Sequence, residues 1–415
     1  MSRFTRRAAG LLVSLPLVVT ATAAGPAIPV LAQDAGCAVT VWGDEITHLA
    51  IQDAAAMYTE ETGVQVDVVG KAFDTMFDEY ATQAAAGTGP DLIIGYSGNF
   101  TDWAPSGIAA PLEIPNLADF SPVAQSQAVI DGKTYFVPLW LENIALIRNT
   151  DLAPEVPTTM ADLAAVGLGL VADGKAELPI SINLNQYMLT PFATSLGADW
   201  FPVLENGNYD FTQPLFAGPE WQAYVDQLAA WVQEGFLDAD IDGGTALDRF
   251  QNGASPFLIT GAWDMPTIKA SGVPYAVSAI PPLGEHPAGP IIGVAGLILN
   301  PKGQCTLAAT DFATRFMATE EAQMSVYETG AYPPALTSAL EAVAGDPDVK
   351  GFGEAAVGGR VWPNQPGVNN TVGPTLGPTI KEIIKGGDAA TLWPAAAQLI
   401  VDAIKADTTI PAEGN

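Results

Sequence analysis

The sequence predicts an α/β fold, because apolar residues recur along the chain at two spacings and the two patterns take turns. Runs with every second residue apolar give strands, and runs with apolar residues three and four apart give helices. Near the start of the chain the order is strand, helix, strand, helix, strand, which implies parallel βαβ units. A length of 415 residues exceeds what one hydrophobic core usually serves, and this predicts two domains. Hydrophobic residues make up 48% and charged residues 15%, with 41 Gly and 33 Pro, a composition that fits a loop-rich globular protein and argues against disorder.

Residues 38–42 form a short β-type run. Ile46, Leu49, Ala50, Ala54, Met57 and Tyr58 then share one face of a helix that Gly63 can terminate. Residues 64–68 alternate as a strand, and Phe73, Met76, Phe77, Tyr80 and Ala81 return to helical spacing. Gly87-Thr88-Gly89-Pro90 breaks that helix before a strand at 91–94. Further on, 178–182 reads as a strand and 219–234 as a long helix with Trp221, Tyr224, Val225, Leu228 and Val232 inward. A strand at 257–260 ends at Gly261, and strands at 275–280 and 294–299 flank the Pro- and Gly-rich stretch 281–290, a natural passage between domains. A helical pattern covers 306–327, and 380–385 with 392–404 close the chain in helices.

At the N-terminus, Arg3, Arg6 and Arg7 precede an apolar run and the small-residue sites Ala21-Thr22-Ala23 and Val30-Leu31-Ala32, the pattern of a secretory signal peptide over 1–32. The Arg6-Arg7 pair leaves twin-arginine export open beside the general route. No later stretch is apolar enough to span a bilayer, so the mature protein is expected to be secreted, periplasmic or at the cell surface. Without 1–32 the chain keeps 46 acidic residues against 13 basic ones, which disfavours nucleic acid as a partner. A solubilising acidic surface is the plain explanation for that excess. Cys37 and Cys305 are the only cysteines, and an exported compartment allows them to form a disulfide. A lipidated Cys37 behind Ala35-Gly36 and a pair of free thiols remain the alternatives, although Asp34 stands where a lipid-attachment site carries an apolar residue.

The most informative stretch is 131–149, DGKTYFVPLWLENIALIRN, where a Gly turn and an apolar strand carry Trp140 and Glu142 two residues apart. A carboxylate in an apolar run is costly to bury unless hydrogen-bond donors, a charge or a ligand satisfy it. Both residues are therefore expected to wall a site.

Seven fragments in consistent order carry a resemblance: VWGDE at 41–45, GTGPDLII at 87–94, WAPSGIAAPLE at 103–113, YFVPLWLENIALIRNTDL at 135–152, FLITGAWDM at 257–265, AGLILNPKG at 295–303 and ATEEAQ at 318–323. Together they resemble the extracellular solute-binding proteins of carbohydrate ABC importers, the maltodextrin-binding-protein-like family. The resemblance implies a two-lobed periplasmic-binding-protein fold that closes on its ligand about a hinge. It implies an N-terminal lobe of 33–139 plus 292–344, a C-terminal lobe of 144–284 plus 349–415, and inter-lobe crossings at 140–143, 285–291 and 345–348. The implied function is capture of a small oligosaccharide or disaccharide and delivery to the membrane permease subunits of an importer. The implied protein is a monomer without cofactor, metal or catalytic residues.

A sugar presents C–H faces and a belt of hydroxyls, so its pocket needs flat aromatic rings and polar acceptors. Carried over residue by residue, the resemblance puts a polar pair at Asp44 and Glu45, a hinge carboxylate at Glu142, a second-lobe tyrosine at Tyr187 and a stacking tryptophan at Trp263. Two segments depart from the maltodextrin type: Gly95-Tyr96-Ser97-Gly98-Asn99 and NNTVGPTLGPT at 369–379 lack its further tryptophans and cations. A smaller or differently linked sugar is the consequence, with Tyr96, Asn99 and Trp140 as replacement contacts.

Other readings weigh against these. Asp44 and Glu45 also suit the N-terminus of the helix that follows, and the two roles are compatible. Trp42 and Trp103 read as core, while Tyr332 and Trp362 are further cleft candidates. His48 and His286 are the only histidines, which argues against a multi-histidine metal centre. No GxSxG elbow occurs, and Gly87-Thr88-Gly89-Pro90 lacks the Lys-Ser/Thr of a phosphate loop. A second reading keeps the fold but takes a polyamine or other cationic solute, motivated by Asp44, Glu45 and Glu142 together. A third is a secreted carbohydrate-active enzyme, although no carboxylate pair has a distinctive context.

Overall fold

The computed structural model describes residues 36–130, 132–205, 207–363 and 365–414, and the segment read as a signal peptide lies outside them. Strands Val39–Asp44, Val66–Lys71 and Leu92–Tyr96 are parallel, joined through helices Gln52–Thr62 and Phe73–Ala85, as the alternation of periods predicts. Gly63 ends the first of these helices at φ 75°, donating its N–H to Thr59 O, a conformation that glycine adopts without a Cβ penalty. The sheet continues through Ile291–Leu299, which runs antiparallel to Leu92–Tyr96 and to Phe136–Glu142. A second sheet holds Tyr275–Ser278, Ile144–Asn149, Phe257–Gly261 and Ser181–Ile182 in that order. The chain is thus α/β, with two main sheets beside two short two-stranded ones, in keeping with the two-lobed expectation.

The chain changes sheet across one residue. Glu142 is paired with Gly293 in the first sheet and Ile144 with Gly261 in the second, leaving Asn143 between them. Asn143 is buried, and its Nδ2 donates to Ile144 O and to Phe352 O, so a short polar side chain satisfies backbone acceptors at the turnover. The chain changes sheet again between Ser278 and Ile291. Helix Pro347–Ala355 marks a third passage, with Gly351 packed on Val277 of the second sheet. There Tyr327 donates to Asp346, while Asp348 receives Tyr275 and an ion pair from Lys269.

The faces of the second sheet follow its period of two. Ile144, Leu146, Phe257 and Ile259 point to a core with Trp221, Tyr224 and Trp393, whereas Ala145, Ile147 and Leu258 point to the core shared with the first sheet. Cys37 and Cys305 are disulfide-bonded, which ties the start of the first strand to the loop before helix Thr306–Asp311. Among the described residues, no helix is long and apolar enough to cross a membrane.

Several sequence expectations need correction. Ile46 and Leu49 do not face inward; they are 42% and 48% exposed, because the helix breaks at Ile51 into Thr47–Ala50 and Gln52–Thr62 and its face rotates. The pattern at 306–327 is divided into Thr306–Asp311, a π-helical turn Phe312–Phe316, and Glu320–Gly330 capped by Thr319. The helix expected from 380 begins far earlier, at Pro366, and takes in 369–379 despite Pro374 and Pro378. Buried Val372, Leu376, Ile380 and Ile383 hold that helix in place, and packing of such a stripe outweighs the missing N–H groups. The segment 349–415, assigned whole to the second lobe, also lends Arg360–Val361 to the first sheet, where it pairs in parallel with Ile291 and Ile292.

Candidate functional site

A cavity of about 680 Å³ lies between the two sheets. The loops that follow strands Val39–Asp44 and Leu92–Tyr96 supply Asp44, Glu45, Ile46 and Thr47 on one side and Tyr96, Ser97 and Gly98 beside them. The second sheet's side supplies Asn185, Gln186, Tyr187, Met188 and Trp263. Glu142, Ile291, Ile292 and Gly293 form the floor where the chain changes sheet, and Tyr332 and Trp362 complete the wall.

Each side chain is placed by local chemistry. Asp44 is buried, and its Oδ1 accepts the N–H groups of Ile46 and Thr47 at 2.8 and 2.9 Å, so it caps the turn. Glu45 accepts the N–H of Phe73 at 3.1 Å and thereby caps a second helix. The Trp263 indole folds back over its own turn, where a Cβ on Gly261 would stand 2.0 Å from the ring; only glycine fits there. Tyr187 lies 6.3 Å from Trp263, ring to ring, at 49°. Trp362 donates its indole N–H to Asn369 Oδ1 at 2.7 Å and meets Trp200 edge-on.

Glu142 is the electrostatic centre of this arrangement. Its Oε2 accepts from Trp140 Nε1 at 3.3 Å and from the Tyr96 hydroxyl at 3.4 Å, both long contacts. Burial pushes its pKa up to about 7, the two donors partly oppose that, and the charge of Asp44 adds to it. Burial also raises Tyr96, Tyr187 and Tyr332, with Glu142 a further cause in each case. The hydroxyls of Tyr187 and Tyr332 are buried and make no hydrogen bond within the protein. Buried polar groups are seldom left so. Two tyrosines whose hydroxyls have no partner within the protein and a carboxylate that lacks a counter-charge thus lie around one cavity between aromatic faces, an arrangement suited to a polar ligand.

A family model described as bacterial extracellular solute-binding protein matches residues 53–351. The chain belongs to that family. Among curated relatives, it is 25% identical to the maltotriose-binding protein of Pyrococcus abyssi (strain GE5 / Orsay), over 72% of this chain and 67% of that protein. It is 23% identical to the galactooligosaccharide-binding protein of Bacillus subtilis (strain 168), over 76% and 75%. It is 25% identical to a maltooligosaccharide ABC transporter solute-binding lipoprotein of Streptococcus pneumoniae (strain ATCC BAA-255 / R6), over 75% of each. An extracytoplasmic location follows from the family, and the named relatives are binding proteins rather than enzymes.

Within this solute-binding frame, the structure brings Asp44, Glu45, Tyr96, Glu142, Tyr187 and Trp263 to one cavity and leaves two expected contacts outside it. Trp140 is 0% exposed: Tyr332 stacks on it at 4.4 Å and 21°, so it reaches the cavity only through Glu142 and Tyr332. Asn99 turns back to accept the Tyr96 N–H at 2.8 Å with its Oδ1, completing a helix cap rather than a ligand contact. The cavity gains Phe73, whose spacing suggests a core position but which is 48% exposed, together with Ile46, Gln127, Gln186 and Met188. Tyr332 in Ala331-Tyr332-Pro333-Pro334 has a detectable signal, an aromatic before a Pro pair; Gln127 and Gln186 have none.

Proposed function

We propose that the protein captures a small oligosaccharide, of disaccharide size upward, and delivers it to the membrane permease subunits of an ABC importer. The observation that carries this reading is the cavity between the two sheets, where the rings of Trp263 and Tyr187 stand across from Asp44, Glu142 and the unpaired Tyr332 hydroxyl. Flat rings take the C–H faces of a pyranose, and the carboxylates and amides take its hydroxyls. The relatives named for oligosaccharides support the sugar class, and the family supports handover by a membrane transporter. Closure of the two lobes about the passages near Asn143, 279–290 and the start of helix Pro347–Ala355 would desolvate the sugar and form the surface presented to the permease. The expected active species is a monomer.

Isothermal titration against mono-, di- and trisaccharides, with tryptophan fluorescence in parallel, tests the reading. Binding of at least one sugar with a change in fluorescence is expected, and no response to any of them would end the carbohydrate assignment. Affinity for a polyamine that collapses with added salt would instead establish the cationic-solute reading. Product formation from a bound oligosaccharide would establish the enzymatic one.

A further inference from the structure

We propose that the sugar taken by this cavity carries a protonated amine, as an unacetylated amino sugar does, seated between Glu142, Asp44 and the hydroxyls of Tyr187 and Tyr332. The inference rests on the carbohydrate reading and deepens it. Three carboxylates line the cavity, at Asp44, Glu45 and Glu142, and among the described residues no Lys, Arg or His does. Glu45 is exposed, but Asp44 is buried and Glu142 is held by two long contacts from neutral donors, both on the same oxygen. A carboxylate removed from water is stabilised by a cation far more than by neutral donors.

The groups facing Glu142 are Asp44 from the first loop, Tyr96 from the third strand's end, Tyr187 from the second lobe and Tyr332 from the far wall. None of them supplies a positive charge. Tyr332 is 1% exposed, and its hydroxyl, like that of Tyr187, makes no hydrogen bond within the protein. An ammonium has three donors and no acceptor, so it can give one hydrogen bond to Glu142 and others to the tyrosine oxygens. Neighbouring aromatic faces at Tyr187 and Trp263 favour a cation as well as a pyranose face. A neutral hydroxyl in the same place would leave Glu142 without a counter-charge, since Asp44 is already met by the N–H groups of Ile46 and Thr47 while Glu142 has only two long contacts.

Titration of the purified protein at pH 7.5 with the β-1,4 disaccharide of glucosamine, its N-acetylated form, cellobiose, maltose and spermidine separates the cases. The amino disaccharide is expected to bind at least tenfold tighter than its acetylated and neutral counterparts. Its affinity should fall at least tenfold in Glu142→Gln, a shape-preserving change whose folding is checked by circular dichroism. Equal or tighter binding of the neutral or acetylated disaccharides overturns the inference while the carbohydrate reading stands. Binding of spermidine with no response to any sugar overturns both. If no disaccharide in the set binds, a panel of glucosamine-containing and neutral mono- to tetrasaccharides is titrated next, and a neutral sugar as the tightest ligand overturns the inference.

Discussion

At the scale of single residues, Trp140 and Glu142 show how far a two-residue spacing can be read. Alternate positions on a strand share a face, which predicts both at the cavity. They do share it, but the chain returns far along the sequence to lay Tyr332 over Trp140, while Leu141 N–H is bonded to Pro333 O. Nothing local in 131–149 encodes that cover. Trp140 is therefore a positioning residue whose indole N–H reaches Glu142. Trp140→Phe keeps the ring stack and removes the donor. It should raise the pKa of Glu142 further and move the pH profile of ligand affinity upward, and an unchanged profile would show that the N–H is idle. Glu142 itself bears on stability. Its pKa is raised from 4.5 to about 7, so the folded state holds its proton more tightly than the unfolded chain. Its favourable contribution is complete below about 4.5 and is lost as pH rises through about 7. Each tenfold change in proton affinity is worth about 1.4 kcal/mol, so Glu142→Gln should gain a few kcal/mol relative to the parent at pH 8. Urea melts of both proteins at pH 4.5 and 8 check this, and a constant difference between the two pH values would refute it.

At the scale of elements, the second passage between sheets is held by its neighbours rather than by its own sequence. Ser195, at the end of helix Gln186–Ser195, accepts from the N–H groups of Leu283 and Gly284 at 2.8 and 3.0 Å and donates to His286 O at 2.7 Å. Thr194 donates to Gly289 O, also at 2.7 Å. The Pro and Gly content of 281–290 announces a passage, but its anchors lie in a helix whose sequence reads as ordinary. Ser195→Ala leaves the part-buried N–H groups of Leu283 and Gly284 without this acceptor, a loss of about 1–3 kcal/mol for each that water cannot reach. Chemical denaturation should show that loss, and it should be absent from Thr190→Ala, whose hydroxyl only returns to Gln186 O within the helix. Gly289 approaches Gly358 so closely that a Cβ would stand 2.0 Å from its carbonyl oxygen, so Gly289→Ala must displace either this passage or the loop at Gly358. The helix Pro366–Ile384 is illegible for the opposite reason. Its Gly-Pro pairs spell a break locally, and only the core stripe from Val372 to Ile383 overrides them.

At the scale of the molecule, alternation of strand and helix periods is enough to place the first parallel sheet, because each βαβ unit is decided within a few tens of residues. The partner of Cys37 is not legible in this way, since chain separation carries no distance information and leaves three fates open. The structure joins Cys37 to Cys305 across 268 residues, beside Asp91, whose Oδ1 accepts the Cys305 N–H and whose backbone O accepts the Asn300 N–H. That bond closes a loop containing the first two passages and the whole second sheet. Loop-closure entropy for so long a segment grows only logarithmically, and on that model the bond stabilises the fold by about 5 kcal/mol. Neither cysteine lines the cavity between the sheets. The double change Cys37→Ser with Cys305→Ser should therefore lower the unfolding temperature by several degrees and leave ligand affinity intact. Differential scanning calorimetry beside a binding titration measures both. A preserved unfolding temperature would mean that the unfolded chain already keeps these ends together, and a loss of affinity would mean that the bond sets the spacing of the lobes.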